Sequence, residues 1–475
     1  MKKNLNIQTL SVTCILFLAT SLQAQRIACG GWHSAVVCFD STVNCFGENA
    51  TGQLGNGQTD DSNVPVQAGN LTGVVAVSAG GDQLEAHTMA LKADGTVWAW
   101  GSNIYGALGN GTTNSTTTPI QTLLINNVIA IAAGGWHSAA LKSDGTVWTW
   151  GWNMDGQLGD GTNTDKLIPT QVPGLNNVIA IAAGTYHTLA LKSDGTVWAW
   201  GDNVKGQLGN NSTTDQNTPV QVQGLTNVVK IKAGRFFSLA LRSDSTVWTW
   251  GENLYGQLGD GTNTDRLTPV MVPNLHGVTD VTCGAFEVHV TKSDNTVWAW
   301  GRNTYGNLGD NTLIHRSSPV QMIGISDVAG MAAGTNFCIM YKNDGTLWGC
   351  GRNLSGQLGN GTFLQSNVLV QSPGVCPIVS VLTAPSHKST EVPVSIYPNP
   401  ISNGRFLIQF PEEDFRQAAP TLAISDAHGR NVPFTATPLF HTNGYAIELS
   451  NQPAGIYTLH GSLGSHTFAR HLLVR

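Results

Sequence analysis

Charge is scarce in this chain. Only 11% of its 475 residues are Asp, Glu, Lys or Arg, and the formal net charge is −6. Nucleic-acid binding needs a basic footprint that neutralises phosphates. No such cluster occurs, so no nucleic-acid partner is expected. No apolar run reaches the ~20 residues of a membrane-spanning helix, so no transmembrane anchor is expected either. The chain has eight cysteines, but none has the CxxC or Cys/His spacing of a zinc site. Paired carboxylates at matched positions, a nucleophile–base arrangement and a phosphate-cradling loop are missing as well. The expectation is no catalytic residues, no cofactor and no metal.

What the chain does have is glycine, 55 residues of it, and 14 tryptophans. Both are arranged in a repeat. Trp100-Gly101 returns at Trp150-Gly151, Trp200-Gly201, Trp250-Gly251 and Trp300-Gly301, with degenerate copies at Phe46-Gly47 and Cys350-Gly351. That makes seven units with a spacing of 50, except for a first step of 54, where Asp82–Glu85 are inserted. Within a unit, "NVIAIAAG" (177–184) is apolar and rich in β-branched residues, and "HTLALKS" (187–193) alternates toward the turn Ser193-Asp194-Gly195. "TVWAW" (196–200) puts both tryptophans on one face, and "TPVQV" (218–222) follows a glycine-rich loop. Period-two patterning between Gly/Asp turns predicts short strands. A four-stranded unit cannot bury its faces alone and must stack on its neighbours. The fold class expected is all-β: a seven-bladed β-propeller over 26–380, followed by a small β-sandwich. The paired indoles would fill the gaps between sheets, each able to bury about 150–250 Å².

The motif G-x-N-x-x-G-Q-L-G (Gly151, Asn153, Gly156, Gln157, Leu158, Gly159) followed by A-A-G-x-x-H (Ala182, Ala183, Gly184, His187) resembles the regulator of chromosome condensation repeat family. The resemblance covers about residues 26–380 and implies a seven-bladed propeller. The family's nuclear GTPase-exchange activity is not carried over, because fold does not fix function. The terminal copies, Asn44-Cys45-Phe46 and Trp348-Gly349-Cys350, depart from W-x-W. We expect ring closure there, with "RIACG" (26–30) adding strand material to the blade completed by "VCPIVSVL" (375–382).

The two ends of the chain carry export signals. Lys2-Lys3, an apolar stretch from Val12 to Leu22 and Ala24 form a secretory signal peptide over 1–24. Residues 381–392 are linker by composition. Residues 393–475 resemble the sorting domain of the type IX secretion system, through Pro398-Asn399-Pro400, His428-Gly429-Arg430, Pro453-Ala454-Gly455-Ile456-Tyr457 and the Leu472-Leu473-Val474-Arg475 ending. The resemblance implies the type IX machinery as a partner and a secreted or cell-surface location. Export permits disulfides. The hairpin turn at Asn343-Asp344-Gly345 places Cys338 directly opposite Cys350, at the ~4.5–5.5 Å Cβ separation of cross-strand pairs, so this pair is the expected bond.

If the repeats are scaffold, recognition belongs where they disagree. Between A-A-G and the histidine position stand Gly31-Trp32, Gly135-Trp136, Thr185-Tyr186, Arg235-Phe236, Ala285-Phe286 and Thr335-Asn336. The ligand-face candidates are Trp32, Trp136, Tyr186, Arg235, Phe236 and Phe286, expected around the central channel, where they either recognise a ligand or plug the opening. Trp152 is a further candidate, expected at a blade edge. In the resembled family, a plant ultraviolet photoreceptor looks to use this stretch for protein contacts. The histidines 33, 87, 137 and 187 are expected to bond a neighbouring blade, and the "GDGTNTD" loops (159–165, 259–265) to be turn chemistry. The functional expectation is an exported non-catalytic binding protein presenting a propeller face to a protein or glycan. The alternatives are a secreted enzyme inhibitor or a polysaccharide-active enzyme.

Overall fold

The computed structural model describes residues 25–375, apart from 39, 83 and 84, and in the C-terminal segment the strands between 395 and 474 with residues 432 and 433. The expected signal peptide and linker lie outside the described residues. Contacts divide the chain into two compact units, 1–380 and 381–475.

The first unit holds seven four-stranded antiparallel sheets, each built from consecutive strands in chain order. The first sheet comprises Ile27–Cys29, His33–Val37, Val43–Gly47 and Ser62–Gln67. The fourth comprises Val178–Ala183, His187–Lys192, Val197–Gly201 and Gln216–Gln221. The inner strands of neighbouring sheets touch all the way round, including the first against the seventh. The inserted Asp82–Glu85 lengthens one hairpin, with Gly81 opposite Ala86 and Asp82 opposite Glu85.

Closure differs from the expectation. Ile27–Cys29 pairs within its own blade, Ile27 opposite Val36, and the seventh blade completes its four strands by Gln371. Residues 376–382 lie outside the described residues. Each blade finds its four strands locally, so the ring closes by packing. The Thr335 amide donates to Gly31 O at 3.0 Å, and Ile27, Val36 and Phe46 bury against Ala332, Phe337 and Ile339. Cys38 is disulfide-bonded. Cys29, Cys45, Cys283, Cys338 and Cys350 are free.

The blades are joined by one repeated contact. The second indole of each W-x-W is fully buried. Its N–H donates to a backbone carbonyl of the preceding blade: Trp100 to Gln53 O, Trp150 to Ala107 O, Trp200 to Gln157 O, Trp250 to Gln207 O and Trp300 to Gln257 O, all at 2.8–3.0 Å. The last glycine of G-Q-L-G lies flat against the same ring. At Gly159, φ is +67° and an added Cβ would stand 2.7 Å from Trp200 Nε1. This explains why the indole and the glycine recur together although they belong to different blades. The first indole of each pair behaves differently from the expectation. Trp98, Trp148, Trp198, Trp248 and Trp298 are half-buried, each beneath a Lys or Arg of the adjacent strand, as with Lys142 at 5.3 Å from the Trp148 ring. They sit near the hairpin turn and still pack against the cluster between their own blade and the preceding one.

The histidines form a second joint. His33, His87, His137 and His187 reach the hydroxyls of Thr88, Ser138, Thr188 and Ser238 in the next blade at 2.8–2.9 Å. Those hydroxyls donate to Gln53 O, Ala107 O, Gln157 O and Gln207 O, the carbonyls that receive the indoles. A carbonyl only accepts, so each hydroxyl accepts from the ring and the proton sits on Nε2. Where blade 5 has Phe237, blade 6 replaces the hydroxyl with Val288, and the two share one apolar cluster. Gly134 leaves room for this ring, since an added Cβ would collide with His137 Cε1.

The second unit is a small all-β domain of two antiparallel sheets, one of four strands and one of three. Ile424, Ile447, Leu449, Tyr457 and Leu459 are buried in it.

Two outcomes test these joints. Trp200→Ala removes a fully buried ring, so it is expected to cost about 3–5 kcal/mol in urea unfolding; a cost near that of an exposed substitution contradicts the joint. Burial holds His33, His137 and His187 near about 3 and His87 near about 4. The unfolded chain takes up these protons first, as pH falls through about 6.5. Stability is therefore intact above that pH and lost toward acid, by up to about 1.4 kcal/mol per pH unit for each histidine. His137→Phe, the residue blade 5 carries, is expected to flatten the fall in unfolding midpoint between pH 6.5 and 4.5; an unchanged slope contradicts a neutral buried ring.

Candidate functional site

The loop columns that vary between blades meet on one face. The turn after each inner strand carries the aromatic column, and the residue after the W-x-W glycine is bonded to it. Trp152 N donates to Trp136 O, Arg302 N to Phe286 O and Arg352 N to Asn336 O, at 2.8–3.0 Å. Each blade thereby presents two variable side chains next to each other.

These side chains form two groups. Trp136, Trp152 and Tyr186 pack edge to face, with centroids 5.2–5.9 Å apart, and Tyr105 joins them at 6.1–6.2 Å. Tyr186 stacks on Phe236 at 5.0 Å. The Arg235 guanidinium bridges Phe236 and Phe286, and Arg302 lies over Phe286 and Tyr255. In the second group Arg352 lies 3.7 Å over the Trp32 ring, with Tyr305 beside it. Trp152 therefore belongs to the aromatic cluster and does not stand apart at a blade edge. Phe286 is only 7% exposed, so it supports two guanidiniums and offers no open ring.

The rings lie outside the central channel. The narrow part of the channel, about 140 Å³, is lined by Gly135, Thr185, Arg235 and Ala285, each the residue before a ring, by Thr335 before Asn336, and by Ala and Gly of the inner strands. The channel needs no aromatic plug, because the inner strands already close to bond across blades, as with Arg235 N to Ala285 O at 3.1 Å.

The sequence reading singled out Trp152 alone in its column and passed over three sets of residues as candidates. Arg302 and Arg352 hold the position of Trp152. Tyr105, Tyr255 and Tyr305 occupy the site two residues after the motif Asn. The residue directly after the motif Asn is exposed and often aliphatic: Ile104, Met154, Val204, Leu254 and Leu354 are 45–68% exposed. Ile104 and Tyr105 line one crevice with Trp136, so these aliphatics rim the aromatic face. Comparing the copies column by column would have found all three, since they vary while Asn and Gly do not.

Carboxylates share the face. Burial pushes Glu48 up to about 7, with Asp61 adding to the shift, and burial, then Asp202 and Asp215, push Asp155 up to about 6. Glu287 stands where other blades have histidine; it is fully buried, and burial raises it to about 8. The "GDGTNTD" loops are turn chemistry: Asp160 accepts from the Thr162 amide at 2.9 Å and pairs with Lys166 at 3.2 Å, while Asp165 accepts from Asn153 N at 2.8 Å. Among the described residues, no group of three or more acidic, His or Cys side chains is arranged to hold a metal ion, and no helix is long and apolar enough to cross a membrane. Cys338 stands directly opposite Cys350, with the sulfurs 3.4 Å apart as two thiols.

The comparisons with known proteins agree with this architecture. The RCC1-like domain matches residues 70–388, more than half of the chain. An RCC1 repeat matches 40–91, and a secretion system C-terminal sorting domain matches 395–475. The E3 ubiquitin-protein ligase HERC2 of Mus musculus is 32% identical over 115 residues, 24% of this chain and 2% of that protein. The Ultraviolet-B receptor UVR8 of Arabidopsis thaliana is 35% identical over 118 residues, 24% of this chain and 26% of that protein. The match thus spans a minor part of these relatives' length. A solved structure of Kap60 bound to yeast RCC1 (Prp20) aligns with a TM-score of 0.63 at 22% identity, covering 71% of this chain and 85% of that one. Human WBSCR16 aligns at 0.58 and 26% identity, covering 65% and 85%. This chain belongs to the RCC1-like domain family, and its sorting domain directs it through type IX secretion to the outside or to the cell surface.

Proposed function

We propose that this chain is an exported, non-catalytic binding protein whose aromatic propeller face holds a protein or glycan ligand. The observation that carries the reading is the cluster of Trp136, Trp152, Tyr186 and Phe236, half-buried and rimmed by exposed aliphatics. Contiguous exposed apolar surface marks interaction sites, and large aromatic and Arg anchors dominate binding energy. The joint columns are repeated from blade to blade, whereas the columns on this face vary. Binding of the purified full chain to a glycan array, and to proteins of the same cell surface, is expected to fall at least tenfold with Trp136→Ala plus Trp152→Ala. It should persist in Trp98→Ala, which alters the far end of a W-x-W strand. Unchanged binding in the double variant contradicts the reading.

We further propose that Cys338 and Cys350 become a disulfide during export. Each thiol loses a proton and an electron, the Sγ–Sγ bond forms, and the disulfide of a thiol–disulfide oxidoreductase takes up both electrons and both protons as its own S–S bond breaks to give a dithiol. Both sulfurs already lie 3.6 Å from the same carbonyl, Asn307 O. Peptide mapping of secreted protein without reductant should yield the crosslinked pair; full alkylation of both thiols in denatured protein contradicts it.

A further inference from the structure

In blades 1 and 5 the residue after the aromatic-Gly step is a glutamate, and a buried glutamine five residues on donates to it. Gln53 Nε2 reaches Glu48 Oε2 at 3.2 Å and Gln257 Nε2 reaches Glu252 Oε2 at 3.1 Å. Each glutamine is pinned by its other end, where Oε1 accepts from Thr51 N or Tyr255 N at 2.9 Å. Blade 7 keeps the glutamine and inverts the partner. Gln357 is fully buried and its Oε1 still accepts from Ser355 N at 3.0 Å. Its Nε2, aimed at the place a carboxylate fills in blades 1 and 5, has no partner. At that place stands Arg352, whose guanidinium rests on Trp32 and whose Nε is also unpartnered. Gln157 carries an unpartnered Nε2 too, opposite Trp152, while Gln207 has the carboxylate of Asp202 as its neighbour. Among the described residues, blade 7 is where the orphan donor and a cation coincide. Arg302 supplies a second cation from the same column of blade 6, held over Tyr255 and Phe286.

We propose that blade 7 of the ligand face is a receptor for one carboxylate of an acidic peptide segment, with Arg352 as its charge and Gln357 as its second donor; this rests on the reading of that face as a binding surface. The bound carboxylate takes the role that Glu48 and Glu252 play in their own blades. A guanidinium offers a planar fork that matches a carboxylate. The surroundings favour a mainly apolar peptide carrying a single acid. Leu354 next to the site is 55% exposed, ready to meet aliphatic side chains. Glu48 in the adjoining blade lies close enough to act on Arg352, and it opposes a uniform polyanion such as a polyuronate.

The test uses the full chain and three probes in calorimetric titration: an acetylated, amidated hexapeptide with one Glu among leucine and threonine residues, the same peptide with Gln, and digalacturonate. The Glu peptide is expected to bind about tenfold or more tightly than the Gln peptide, the scale of a charge-assisted hydrogen bond. Arg352→Glu restores the pairing of blades 1 and 5, so it should keep the thermal midpoint and abolish the preference. Equal binding of the two peptides, or a preference that survives in Arg352→Glu, overturns the proposal. Tighter binding of digalacturonate overturns the peptide assignment. If neither peptide binds, the carboxylate receptor fails; the proposed function stands in that case if array binding still depends on Trp136 and Trp152, and fails with it if it does not.

Discussion

The indole N–H of one blade donating to a backbone carbonyl of the blade before it is the contact on which the rest of the molecule depends. It is directional, buried and repeated, so it sets the spacing and the angle between sheets together. It also accounts for three separate features of the repeat. The tryptophan supplies the donor, the backbone of the G-Q-L-G turn supplies the acceptor, and the turn's last glycine removes the side chain that would keep the ring away. The histidine–hydroxyl pair converges on the same carbonyl from the other side. A buried carbonyl with both lone pairs engaged leaves no unsatisfied acceptor at the joint. Blade 7 shows how far the joint can be altered: Cys350 takes the indole's place and still points its sulfur at the equivalent carbonyl, Asn307 O, and Met322 fills against Gly309.

A frame fixed in this way separates structure from recognition. Columns that form the joint cannot vary without opening a gap between sheets. Columns in the turns at the end of the inner strand and after the W-x-W glycine lie outside the joint, and they vary from blade to blade. The result is a face with an aromatic cluster over blades 3 to 5, guanidiniums laid on rings over blades 5 to 7, and carboxylates between. Its main features are aromatic area and a few guanidiniums held in place by stacking, and the proposed binding role rests on them.

Much of the fold was legible in the sequence because the repeat amplifies weak signals. Seven copies of one strand pattern fix the number of blades and the strand positions, and the Cys338–Cys350 register follows from a hairpin turn. What could not be read is what depends on neighbours in space. Nothing in "TVWAW" says that its second indole is sealed and its first is half-buried beneath a lysine, because the difference comes from what packs on each ring in space. The closure at 26–30 was misassigned for the same reason: pairing within a blade and packing between blades leave the same alternation. At the site, the aromatic column stood out by residue type. The Arg302 and Arg352 column and the exposed Ile104, Met154 and Leu254 column looked like ordinary loop variation until the structure brought them beside the rings.

The most direct measurement of the central claim is hydrogen exchange of the indole N–H groups in tryptophan-labelled protein, read by nuclear magnetic resonance. The joint predicts two classes. The N–H groups of Trp100, Trp150, Trp200, Trp250 and Trp300 should exchange only through global unfolding, and those of the first indole in each pair should exchange orders of magnitude faster through local opening. Uniformly rapid exchange, with both indoles of a pair behaving alike, would contradict a ring of blades held together by buried indole–carbonyl bonds.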